Sequence, residues 1–131
     1  MPHFLSPLVG GPSTTLRLRN ERTGLALASC IESAFDSATR RRGLLGRDAL
    51  DPDAALVLAP CSGIHTFFMR FPIDVVFARR DGVVVKVRPH LEPWRLVVAY
   101  KAFAAIELAT GAAAASGTRP GDRLVLEEFR R

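Results

Sequence analysis

"IDVVFARRDGVVVKVR", residues 73–88, decides the fold class. Two runs rich in valine flank Arg79-Arg80-Asp81-Gly82. Asp-Gly readily takes the backbone angles of a tight turn between antiparallel strands, so residues 73–78 and 83–88 read as a hairpin. Strand side chains alternate between faces. Ile73, Val75 and Phe77 therefore share one face, and Asp74, Val76 and Ala78 share the other. The larger side chains mark the first face as the main core. Asp74 is then expected on a face of smaller residues, at a groove or on a second sheet surface.

Outward from the hairpin, most of the chain reads the same way. Residues 15–20, "TLRLRN", alternate apolar and basic like a half-buried strand. "ERTG" supplies a turn, and residues 25–31 return as a second strand. Short strands are predicted over 55–58, 64–69, 95–99, 103–109 and 123–129, with one helical turn in 111–118. Only "FDSATRRRGLLGR", residues 35–47, has a helical signature. Asp36 or Ser37 can cap the free N–H groups of a first turn. Arg40, Arg41 and Arg42 suit the negative end of the helix dipole, and Gly46 is placed to end the helix. Leu44 and Leu45 would anchor it. The fold class predicted is mainly β: a compact β-barrel or jelly-roll-like sandwich with one short helix near residues 37–45. Residues 1–13, broken by Pro2, Pro7, Gly10, Gly11 and Pro12, read as a flexible N-terminal arm, and residues 14–131 as a single domain.

The chain has 131 residues, 48% apolar and 24% charged, enough for one core and too apolar for wholesale disorder. Its basic residues are 16 Arg and 2 Lys against 13 acids, a net charge of +5. That balance eases the approach of nucleic acid, an anionic membrane surface or an acidic small molecule. The N-terminus lacks the basic and apolar regions of a secretory signal. No run of about 18 apolar residues exists, so no membrane span or membrane partner is expected. The expected setting is a monomer in the cytoplasm. Cys30 and Cys61 are then expected to be reduced thiols. Neither has a CxxC partner or a histidine at metal spacing. Cys61 has His65 as its one local candidate base.

Four motifs carry a family resemblance: "RRGLLGR" (41–47), "IHTFFMRFPIDVVF" (64–77), "DGVVVKV" (81–87) and "IELATGAAAASGTRPGDRL" (106–124). In this order they resemble the bacterial and archaeal DUF192 family, over about residues 15–128. Leu45 stands where the family often has Met, and Phe68 where it often has Trp. The resemblance implies a compact β-barrel or jelly-roll-like sandwich with a small helix and does not imply a particular activity.

The candidate site is a shallow pocket with polar points at His65, Thr66, Asp74 and Glu107. Glu107 falls among Ala105 and Ala109, whose small side chains would leave room. Thr66 points away from His65 if their strand is regular. Each residue also has a structural reading: Asp74, two positions after Pro72, could cap backbone donors, and His65 could bond a carbonyl. Arg42 and Arg47 are the candidate anion-binding residues, although helix docking or an ion pair would also account for them. There is no nucleophile elbow, P-loop, HExxH or dinucleotide-binding glycine pattern, and no metal or cofactor is expected. The leading functional reading is binding of a small molecule or protein partner around His65 and Asp74. The alternatives are a basic-surface binder of nucleic acid or other anions, and a hydrolase-like or metal-dependent enzyme using His65 and Asp74.

Overall fold

The computed structural model describes residues 2–9 and 15–129. Ten strands form three sheets: β1 (Leu16–Asn20), β2 (Ala26–Ala28), β3 (Cys30–Ala34), β4 (Ala54–Leu58), β5 (Gly63–His65), β6 (Ile73–Ala78), β7 (Val84–Leu91), β8 (Leu96–Val98), β9 (Ala104–Leu108) and β10 (Leu124–Glu128). The central sheet has the order β3-β4-β9-β6-β7, flanked by β10-β1-β2 and by the pair β5-β8. Only β3 and β4 run parallel. The central sheet ends at β3 and β7, so the fold is an open sandwich and not the closed barrel left as an alternative. The described residues also form two α-helices, α1 (Ser37–Arg42) and α2 (Ala112–Ala115), and a short 3-10 helix at Ser6–Leu8.

The predicted hairpin is β6–β7. Arg79 N–H donates to the Val83 carbonyl at 2.9 Å across its turn. Gly82 sits at φ +86°, and a Cβ there would collide with the Leu124 carbonyl, so glycine is required. Every residue of β6 is buried, because the central sheet is covered on both sides. Ile73, Val75 and Phe77 pack with Leu56, Leu58 and Ala105 beneath β5–β8. Val76 packs with Val57, Ile106 and Leu108 against Leu18 and Leu124 of the three-stranded sheet. The Asp74 face, expected at a groove or on a second sheet surface, is the second of these, packed as the wall of a second core.

Three local expectations change for identifiable reasons. The strand predicted over 25–31 is split at Ser29, where Ser29 and Cys30 N–H both donate to the Asp53 carbonyl and the chain crosses from the flanking sheet into the central one. The helix predicted over 37–45 begins as expected, with Thr39 N–H donating to Asp36 Oδ1 at 2.7 Å, but ends at Gly43, φ +48°, so that Leu44 can be buried. The strand predicted over 64–69 ends at His65, because the chain turns at Phe68, φ +66°. The arm is also corrected for residues 2–9. Leu5 and Leu8 are fully buried in the core, and Phe4 N–H donates to the Arg80 carbonyl at 2.9 Å. The prolines and glycines disguised two anchoring leucines. The rest of the expected arm, residues 1 and 10–13, lies outside the described residues.

Candidate ligand cavity at Glu107

Register decides which predicted residues can meet. On the β6–β9 pair, Asp74 lies opposite Leu108 and Val75 opposite Glu107. Directly opposed residues share a face and consecutive residues do not. Asp74 and Glu107 therefore point to opposite sides of the central sheet.

Asp74 is 1% exposed and fully engaged. Its Oδ1 accepts from His90 N–H at 2.8 Å, across the irregularity between β6 and β7. Its Oδ2 accepts from Gly111 and Ala113 N–H, each at 3.0 Å, at the start of α2. Asp74 thus ties the end of β7 and the start of α2 to β6. Thr66 is also buried. Its hydroxyl donates to the Glu92 carbonyl at 2.6 Å and accepts from Arg95 N–H at 2.9 Å. Neither residue lines the cavity described next. The His65–Asp74 pair invoked for acid/base or metal chemistry is not brought together, since His65 lies on β5, over the other face of the sheet.

Glu107 and His65 do share a cavity. A space of about 360 Å³ opens between α1, the segment from Pro60 to His65 and the β9 floor; its lining includes Glu107, Cys61, His65, Arg40, Arg41 and Arg42. Glu107 is 4% exposed, and its Oε2 has no hydrogen-bond partner among the described residues. Burial pushes this carboxyl up to about 7, and Arg47 draws it partly back. Near neutral pH it can therefore either accept or donate a proton in a hydrogen bond. Burial likewise raises the Cys61 thiol, whose Sγ lies 3.1 Å from the Gly63 carbonyl. This favours the thiol form over a thiolate nucleophile. His65 is exposed; its Nδ1 accepts from Phe67 N–H at 3.3 Å, and its ring stacks on Phe67 at 4.9 Å.

The arginines divide. Arg40 is tied to the Phe35 carbonyl at 2.7 Å. Arg41 and Arg42 are exposed at the cavity wall. Arg47 makes an ion pair with Glu32 at 2.7 Å and does not line the cavity, whereas Arg42 does. A wider, more open cleft of about 610 Å³ lies at the β6–β7 turn. Three of its charged groups are already engaged: Arg79 pairs with Asp81 at 2.6 Å, and Arg80 lies over Phe103 at 4.3 Å. The Glu107 cavity is smaller but holds the unpartnered group. Sequence reasoning missed Cys61, Arg40 and Arg41 as lining residues. The turn-forming "APCSG" at 59–63 was the available signal, because a turn there folds back over the β4 end. Among the described residues, no group of three His, Cys, Asp or Glu side chains is placed to hold a metal ion.

Two solved structures share the fold. One is a protein of Sinorhizobium meliloti 1021, described as a "putative transcription regulator": 23% identity, 83% of this chain and 89% of that chain covered, TM-score 0.73. The other is a protein of unknown function from Novosphingobium aromaticivorans DSM 12444: 22% identity, 86% of this chain and 82% of that chain covered, TM-score 0.72. At those identities the likeness is one of fold. No curated protein matches the chain. The model of DUF192, described as "Uncharacterized ACR", matches residues 18–126, which include the hairpin, the Glu107 strand and the cavity wall, and the chain belongs to the DUF192 family.

Proposed function

We propose that this protein binds a small polar molecule in the Glu107 cavity, one carrying a hydroxyl, amide or ammonium donor together with an anionic group. The observation that carries this reading is the buried Glu107 Oε2 without a partner among the described residues. Buried polar atoms are nearly always satisfied, and leaving one unpaired costs about 1–3 kcal/mol. A ligand donor at that oxygen would recover the loss. The exposed Arg41 and Arg42 at the wall suit the anionic end. Ion pairs already occupy Arg17, Arg19, Arg22, Arg47 and Arg79, which leaves the basic-surface reading with less support.

An NMR shift-perturbation screen of the labelled protein tests this, using pools of hydroxy acids, amino acids and sugar phosphates. The expected result is a response to one pool, clustered at Cys61, His65 and Glu107 and absent in folded Glu107→Gln. A folded protein that shows no clustered response to any pool overturns the proposal.

A further inference from the structure

Six exposed large hydrophobic side chains lie beside the cavity, on and around the outer face of β5–β8. Phe68 is 72% exposed, Trp94 56% and Tyr100 92%. Phe67, Leu96 and Val98 are exposed between them. The register places His65 opposite Leu96 and Gly63 opposite Val98. Gly63 has no side chain to cover Val98, so the apolar row runs uncovered along β8 towards Tyr100. Phe68 and Trp94 rings lie 4.6 Å apart, and Phe67 and Trp94 rings 6.0 Å apart.

This ridge is built. Phe68 and Trp94 both hold left-handed backbone angles, φ +66° and +67°, which bulky residues seldom adopt. Buried Thr66 pins both turns. Its carbonyl accepts from Met69 N–H at 3.1 Å and Trp94 N–H at 3.0 Å, and its N–H donates to the Arg95 carbonyl at 2.8 Å. With the two hydroxyl bonds to Glu92 and Arg95, one threonine holds two strained aromatic tips side by side. Strain of this kind is maintained only where surrounding bonds enforce it.

Cations flank the row. Lys86 Nζ donates to the Val98 carbonyl at 2.9 Å, and Lys86 and Lys101 line the notch beside Val98 and Tyr100. Arg95 follows Trp94, and its contact with Glu92 is 3.5 Å with both side chains more than half exposed, a weak pair. A second copy of the chain docked here by two-fold symmetry would bring these cations together. A single nucleic-acid strand would use the rings but gain little from Leu96 and Val98. An anionic bilayer surface uses every part: Trp and Tyr at headgroup depth, Phe, Leu and Val below them, and Lys and Arg on the lipid phosphates.

We propose that the Phe67–Phe68–Trp94 ridge, continued by Leu96, Val98 and Tyr100, docks the protein on an anionic lipid surface. The contact is peripheral and departs from the expectation of no membrane partner; no described helix is long and apolar enough to cross a bilayer. It does not rest on the ligand reading, since Phe68 and Trp94 lie outside the Glu107 cavity.

Trp94 is the sole tryptophan, so its emission reports the contact directly. The full chain is mixed with vesicles of phosphatidylcholine alone, or of phosphatidylcholine with phosphatidylglycerol at two to one. The expected result with anionic vesicles is a blue shift of Trp94 emission, quenching by brominated acyl chains and co-sedimentation that salt weakens. Phe68→Asn keeps a residue that tolerates the left-handed angle, and should lower vesicle partitioning roughly tenfold with an unchanged circular dichroism spectrum. Trp94→Asn should do the same by sedimentation. The proposal is overturned by no blue shift, by equal binding to neutral and anionic vesicles, by native-like binding of folded Phe68→Asn, or by an oligonucleotide quenching Trp94 where vesicles have no effect.

Discussion

Asp74 and Glu107 are one register step apart on paired strands, equally buried, and oppositely treated. Asp74 receives three backbone N–H groups, one from the end of β7 and two from the start of α2. Glu107, on the other face, has an oxygen with no partner among the described residues and a cavity beside it. Burial alone therefore does not separate a structural carboxylate from a site carboxylate. What separates them is whether the fold brings donors to the oxygen or leaves that place open.

Three substitutions would break or sharpen this contrast. The largest effect is expected at Asp74. Asp74→Ala strands the His90, Gly111 and Ala113 N–H groups and should cost about 3–5 kcal/mol in urea unfolding. A cost below about 1 kcal/mol, the worth of one ordinary hydrogen bond, would remove Asp74 from its structural role.

Glu107 should behave in the opposite sense. Its carboxyl titrates at about 7 when folded and near 4.5 when unfolded, so the folded state holds the extra proton between those values. The stability linked to that proton is complete below the unfolded value and is lost as pH rises through about 7. That loss is roughly 3 kcal/mol for a shift of this size. Glu107→Gln, which cannot ionise, should therefore change stability little near pH 5 and stabilise the protein near pH 8 by roughly 2–3 kcal/mol. Urea midpoints across that range check it. A difference from the native protein that stays constant with pH would show that Glu107 is not the buried acid described here.

The smallest effect is expected at Thr66, which supports the ridge. Thr66→Val keeps the shape and removes both hydroxyl bonds, costing about 1–2 kcal/mol. The readout specific to its role is Trp94, whose fluorescence anisotropy should fall as its turn loosens. A stability loss with unchanged Trp94 anisotropy would make Thr66 an ordinary core threonine.

Much of the fold was legible in local chemistry. Asp-Gly between valine-rich runs marks the β6–β7 hairpin, because few residue pairs turn a chain so tightly. Asp36 or Ser37 marks the start of α1, and the structure uses Asp36, whose carboxylate accepts from Thr39 N–H. The end of α1 was read one glycine too late, since both Gly43 and Gly46 can leave the helix and burial of Leu44 chose between them. The anchoring of Leu5 and Leu8 was hidden for a similar reason: nothing within residues 2–9 reveals the core gap they fill.

For the candidate site, the sequence determined which polar residues interrupt apolar strands, and alternation sorted each onto a face of its own strand. Alternation is local and says nothing of how one strand's face relates to another's. Only the pairing register sent Asp74 and Glu107 to opposite sides of the sheet, and only the covering elements settled what each side became. The end of β7 and the start of α2 brought N–H groups to Asp74 and satisfied it. Residues 59–65 and α1 arched over Glu107 and left a space. Side-chain identity is written along the chain, whereas the supply of hydrogen-bond donors to a buried oxygen depends on segments that meet only when the chain has folded.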